Sequence, residues 1–149
     1  MGRPPRLFSV TICATRKPGM GEDEYHQYIS ETHAPLLKKL LVEKKIIDYT
    51  MQHNTSALMK DLPKLYPNLP VVNHSPYDAL VTIVFRDPQD YIDVKNDPHF
   101  VNVVNPDHKN FSGPEGTHMA YGWFEKHVAE GRLIEEAPRD SGFLSWDRT

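Results

Sequence analysis

Apolar and polar residues alternate from Leu7 to Ala14 in a run rich in β-formers, which predicts a first strand. The Lys17-Pro18-Gly19 turn then leads into a helical period that begins near Gly21 and runs to about Lys45. Glu22, Asp23 and Glu24 open that helix, where acidic side chains favour the positive end of the dipole. Counted from Ile29 at ~100° per residue, His26, His33, Leu36, Leu37 and Leu40 fall within one apolar arc. Pro35 interrupts the pattern. It lacks an amide proton and disfavours helical angles at Ala34, so a kink or restart is expected near His33. A histidine facing inward there, among tyrosines and leucines, points to a pocket. The plain alternative is an imidazole that bonds a carbonyl freed at the kink.

Ile46 to Thr55 reads as a second strand, with Tyr49, Met51 and His53 on one face and Asp48, Thr50 and Gln52 on the other. Ser56 to Pro76 holds Pro63, Pro67, Pro70 and Pro76, with one short helical stretch around Ala57 to Leu62. A connection this long is either a lid over a pocket or an arm along a sheet edge. Tyr77 to Phe85 is the clearest strand, apolar on both faces, so both faces are expected to be covered. Asp87 and Pro88 supply the cap and first position of a second helix, Asp97-Pro98 restarts it, and Pro106 is expected to end it. Thr117 to His127 forms the last strand, with Met119, Tyr121 and Trp123 on one face.

The element order is strand, helix, strand, strand, helix, strand. It predicts an α+β, ferredoxin-like sandwich, a four-stranded antiparallel sheet with its helices on one face. Trp123, Phe85 and their neighbours leave no obviously polar side, so a second copy of the sheet is the expected cover and the protein is expected to be a homodimer. The domain is expected to span residues 1–128. The remainder, 129–149, is a tail whose apolar residues are Phe143, Leu144 and Trp146.

At 149 residues one core is the simplest arrangement. A net charge of -3 and the absence of any basic run give no footprint for nucleic acid or an anionic membrane surface. Cys13 is the single cysteine, which excludes an internal disulfide and a thiolate metal cage and fits a cytoplasmic setting. Eight histidines suit proton transfer. None sits three or four residues from another, so no compact helical metal pair exists and no metal is expected.

Tyr28 followed by His33-Ala34-Pro35-Leu36, the stretch Ile47 to Asn54, and Pro106-Asp107-His108-Lys109-Asn110-Phe111 together carry a likeness. The chain resembles the EthD-type dimeric α/β-barrel proteins over roughly residues 6 to 128, closest to fungal aromatic polyketide decarboxylases. The resemblance implies a dimeric barrel and a cofactor-independent lyase of fungal aromatic polyketide biosynthesis, with decarboxylation of a polycyclic carboxylic acid ahead of other reactions. The alternatives are a dehydratase or cyclase, a cofactor-free anthrone-type oxygenase, and a non-catalytic protein that binds an aromatic intermediate.

Loss of carbon dioxide beside a ketone leaves an enolate, so the substrate supplies its own electron sink and no cofactor is required. Two histidines of unlike protonation state then suffice, one to stabilise charge and one to exchange protons. His33, His108 and His53 are the catalytic candidates, expected around one cavity on the helix side of the sheet. Tyr28, Tyr49, Tyr121 and His26 are the substrate-binding candidates, flat walls with polar handles. Each has a structural alternative: His108 closing its helix end, His53 on the dimer face, His26 in solvent, Tyr121 in the core.

Overall fold

The computed structural model describes residues 6–113 and 117–135. Strand β1 (Leu7–Ala14) leads through Gly19, at φ 85°, to helix α1 (Glu22–Tyr28). Gly21 caps α1, its amide donating to Glu24 Oε1 at 3.3 Å. The helix does not kink at Pro35. Ala34 keeps helical angles, and a π-helical turn over Ile29–His33 takes up the strain before helix α2 (Ala34–Glu43). In α geometry the Pro35 ring would press on the carbonyl four residues back. The wider turn relieves that contact, and the Ala34 amide donates to the Ile29 carbonyl instead.

The extra residue in that turn shifts the phase of everything after it by ~100°. Leu37, Leu40 and Leu41 are therefore buried, whereas Leu36 is only half-buried. Strand β2 (Asp48–His53) follows, then α3 (Ser56–Met59) and α4 (Leu62–Leu65) in the Pro-rich connection, and β3 (Ala79–Phe85). Helix α5 (Pro88–Asn96) starts as expected, with the Asp87 carboxylate accepting from the Gln89 amide at 2.9 Å. A second π turn, Phe100–Val104, again comes just before an X-Pro pair. Pro106 does not end the helical path. It sits inside the short α6 (Asn105–Asp107), which passes into a 3-10 turn over His108–Asn110. Strand β4 (His118–Phe124) completes the sheet.

The strands are antiparallel in the order β2-β3-β1-β4. With both helical arms on one face, this is the ferredoxin-like arrangement. Cross-strand registers assign the faces. Val10 pairs with Ile83 and Tyr121, Phe8 with Phe85 and Trp123, and Met51 with Val81, so all of these face the helices. Trp123 and Phe85 thus share the helix-facing side of the sheet. Strand parity separates two faces without saying which meets the helices. The opposite face carries Ser9, Thr11, Thr50, Gln52 and Thr82 among Cys13, Leu80 and Val84, a mixed surface rather than an apolar one.

Under α2, the Leu37, Leu40 and Leu41 side chains pack with Val94 and Val104. Under α1, Tyr25 and Ile29 pack with Ala79 and Phe111. Fully burying one such leucine is worth ~1.5–3 kcal/mol, and cutting it to alanine costs ~2–5 kcal/mol. The helices stop short of β4, whose Met119 and Tyr121 are 63% and 59% exposed. Beyond β4, β5 (Val128–Ala129) and β6 (Arg132–Leu133) make a small hairpin in a region expected to be tail. Its turn is Glu130-Gly131, both at positive φ, as a two-residue hairpin loop requires. Phe143, Leu144 and Trp146 lie outside the described residues.

Candidate functional site

The two π turns bring the middle of the first helical arm against the end of the second. His33, the last residue of the first π turn, is buried, and its Nδ1 lies 2.8 Å from Asp107 Oδ2. The other oxygen of Asp107 accepts from the Tyr28 hydroxyl at 2.5 Å and from Asn110 Nδ2 at 2.9 Å. The aspartate is therefore held from three sides. Burial works against its charge, but the bonds from Tyr28, Asn110 and His33 hold the carboxyl below the usual aspartate value. The same carboxylate pushes the Tyr28 hydroxyl upward.

An aspartate that accepts from Nδ1 fixes the His33 tautomer, leaving the Nε2 lone pair as the basic atom. Burial lowers the His33 pKa, the Asp107 hydrogen bond partly restores it, and the nearby His108 lowers it further. The imidazole is therefore neutral at neutral pH. Among the described residues Nε2 has no hydrogen-bond partner, and His33 lines a cavity of about 290 Å³. His108 lines it too, its ring centroid 4.8 Å from that of His33. His108 Nδ1 donates to the Asn105 carbonyl at 2.9 Å, so it also closes its helix end. Phe111 packs against both rings.

The cavity is mainly apolar, between the helices and the sheet, with Ile12, Val81, Leu37 and Met51 among its walls. Tyr25 and Tyr49 add hydroxyls, both pushed up to about 12 by burial and so protonated at working pH. Of the sequence candidates, His33, His108 and Tyr49 line this space. Tyr28 does not, and acts on Asp107 from behind. Tyr121 does not either. It stands half-exposed on β4, stacked on Phe8 and Phe85.

His53 is also outside the lining, contrary to the expectation of three histidines round one cavity. It is on the helix-facing side of β2 but one step past Met51, where its Nδ1 meets His26 Nδ1 at 2.7 Å. The two candidates bond one another. Burial and the neighbouring His26 lower the His53 pKa. No residue of the connection 56–76 lines the cavity. The root of the connection is tied down where the Ser56 amide and hydroxyl donate to the Glu22 carboxylate, at 2.5 and 2.8 Å. Among the described residues no group of three or more His, Cys, Asp or Glu side chains is placed to hold a metal.

Asp107 and Tyr25 escaped the sequence reading. Asp107 stands inside the Pro106-to-Phe111 stretch, next to His108, and is the carboxylate nearest in sequence to a catalytic candidate. Tyr25 is one position from His26 and faces the interior once the helix is laid on the sheet.

A model of the EthD domain matches residues 17–115. The chain belongs to the EthD-domain family. This EthD chain is 39% identical over 132 residues to a conidial pigment biosynthesis dehydratase EthD of Metarhizium robertsii, covering 88% of this chain and 92% of that protein. It is 37% identical over 139 residues to dehydratase aurZ of Gibberella zeae, covering 93% and 89%. Decarboxylase claH of Passalora fulva is 32% identical over 133 residues, covering 89% and 86%. The crystal structure of an EthD-like protein from Ralstonia eutropha superposes with a TM-score of 0.56 at 12% identity, covering 85% of this chain and 96% of that one. That likeness concerns the fold. The described residues contain no helix long and apolar enough to cross a membrane.

Proposed function

We propose that this EthD protein is a cofactor-independent lyase of fungal aromatic polyketide biosynthesis, and that it removes water from a hydroxylated ring ketone. The observation that carries the reading is the Asp107–His33 pair, which presents a neutral Nε2 base to a mainly apolar cavity. Elimination beside a ketone begins with abstraction of a carbon-bound proton, and a buried, oriented imidazole suits that step.

In this reading His33 Nε2 takes the proton from the carbon next to the ketone, and the electron pair moves onto the carbonyl oxygen as an enolate. As the enolate collapses, the carbon–carbon double bond forms and the carbon–oxygen bond to the hydroxyl breaks. A protonated His108 gives its proton to that hydroxyl, which leaves as water. Solvent exchange returns a proton to His108 and removes one from His33. Across ring centroids 4.8 Å apart, a charge on His108 lowers the His33 pKa and so favours the neutral base. The relatives named dehydratases, at 37% and 39% identity, support this choice.

Decarboxylation is the second reading, favoured by relatives such as the 32% identical decarboxylase claH. There the bond to the carboxylate carbon breaks without prior proton abstraction, and an imidazolium would protonate the resulting carbanion. Incubating the protein with matched hydroxylated and carboxylated aromatic ketones decides between them. Water loss that disappears in His33→Ala is the expected result. Carbon dioxide release with the hydroxyl retained would replace dehydration by decarboxylation, and neither product would overturn both.

A further inference from the structure

Outside the cavity, His108, Ser112 and Thr117 are shared with a second, more open groove whose other walls are Lys17, Pro18, Lys109 and Gly113. The shared residues make the two spaces neighbours at His108. The groove is a built feature. The Lys17 amide donates to the Phe111 carbonyl at 2.8 Å, and the Gly113 amide donates to the Thr15 carbonyl at 2.9 Å. This small ladder clamps the segment after β1 onto the segment after the 3-10 turn. A Cβ on Gly113 would meet the Arg16 carbonyl oxygen and the Thr15 hydroxyl at 2.9 Å each, so the approach needs glycine. The ladder holds the backbone of Lys17 and the 3-10 turn holds that of Lys109, and both residues line the groove. Neither lysine has an acidic partner among the described residues.

From this placement we infer that the groove is a subsite for an oxyanion of the substrate, an ionised phenol or carboxylate, held between Lys17 and Lys109 while the ring system occupies the apolar cavity. The inference rests on the proposed lyase reading and names its substrate class more narrowly: an aromatic ketone with an acidic group remote from the reacting carbon. That group is one the reaction keeps. Cations on a departing carboxylate would stabilise the ground state more than the transition state, because the charge migrates away as the bond breaks. Cations on a persistent anion act on both states alike and set affinity and orientation. Two exposed lysines in water supply a modest, salt-sensitive preference rather than a tight lock.

The test uses binding, which needs no turnover. Anthraquinone-2-carboxylate and its neutral carboxamide are titrated into the full chain by calorimetry at low salt. Wild type is expected to favour the acid by about 3–10-fold, and 0.5 M sodium chloride should shrink the preference. The paired substitution Lys17→Glu with Lys109→Glu should abolish or reverse it while carboxamide affinity changes less than about twofold. Lys17→Met with Lys109→Met, which keeps the stems, should abolish it without reversal. An acid-to-amide ratio of one in wild type, or a ratio unchanged by charge reversal, overturns the subsite. Because the dyad is tested separately by His33→Ala, the two can fail independently. Acid preference with a fully active His33→Ala leaves the subsite and removes the lyase mechanism; the converse leaves the mechanism and removes the subsite.

Discussion

His33 Nδ1 and Asp107 Oδ2 meet at 2.8 Å across 74 residues of chain, joining the centre of the first helical arm to the end of the second. Each partner comes from the neighbourhood of a π turn that precedes an X-Pro pair. The widened turns do two things at once. They accommodate proline in mid-helix, and they turn a polar residue of each arm toward the other.

Because Asp107 fixes the tautomer of His33 and stabilises the imidazolium that forms, Asp107→Asn should lower turnover by about two to four orders of magnitude. The Michaelis constant should change little, since Asp107 does not line the cavity. Tyr28→Phe removes one of three bonds to the same carboxylate and should cost far less, about tenfold or under. Steady-state kinetics on both variants test the order. Equal losses would mean Tyr28 has a direct role.

The acid limb of the rate profile reports the base. His33 must be neutral to accept a proton, and burial holds its pKa below the ordinary 6.5. Activity should therefore fall only as pH drops through a midpoint below 6.5. Asp107 raises the His33 pKa by hydrogen bonding and charge, so Asp107→Asn should move the limb further to acid while lowering the plateau. A limb that moves alkaline in that variant would assign the titration to another group.

The four strands and the two helical arms were legible because period-2 and period-3.6 patterns are strong over elements of this length. The π turns were not. A regular helical count puts Leu36 in the apolar arc and leaves out Leu41, whereas the extra residue before Ala34 buries Leu41 to 3% exposure and leaves Leu36 half-buried. Proline signalled that something happens near His33, but the choice between a kink and a wider turn depends on packing that the local sequence does not contain. The same holds for His53: strand parity grouped it with Tyr49 and Met51 without saying which face meets the helices, and its contact with His26 depended on how the first helix lies on β2. His33 and His108 could be named, but their common partner Asp107 required tertiary structure.

His33 and His53 both have pKa values lowered in the fold, so the unfolded chain binds protons more readily than the native one between the folded values and about 6.5. The sign follows: stability is at its full value above 6.5 and falls as pH drops through the depressed values. The melting temperature should therefore decline on acidification from pH 7 to 5. His53→Gln keeps a polar partner near His26 without titrating there and should flatten part of the decline. A melting temperature that rises toward pH 5 in wild type would contradict both burials.

The face of the sheet away from the helices supports a prediction about assembly. The hydroxyls of Thr11 and Thr82 lie 3.4 Å apart near its centre, bonded to each other, with Cys13, Leu80 and Val84 around them. Small side chains and mutually satisfied hydroxyls allow a second sheet to approach to about 10 Å, the usual spacing for packed sheets. A homodimer through this face should sediment as such at micromolar concentration. Thr82→Arg would place a long cation in the middle of the contact and should yield a folded monomer. Trp123→Glu should not dissociate the dimer, because Trp123 faces the helix side with Phe8 and Arg6, the Arg6 guanidinium lying 4.9 Å from its ring centre. If wild type is monomeric, or if Trp123→Glu dissociates it while Thr82→Arg does not, the contact lies on another face.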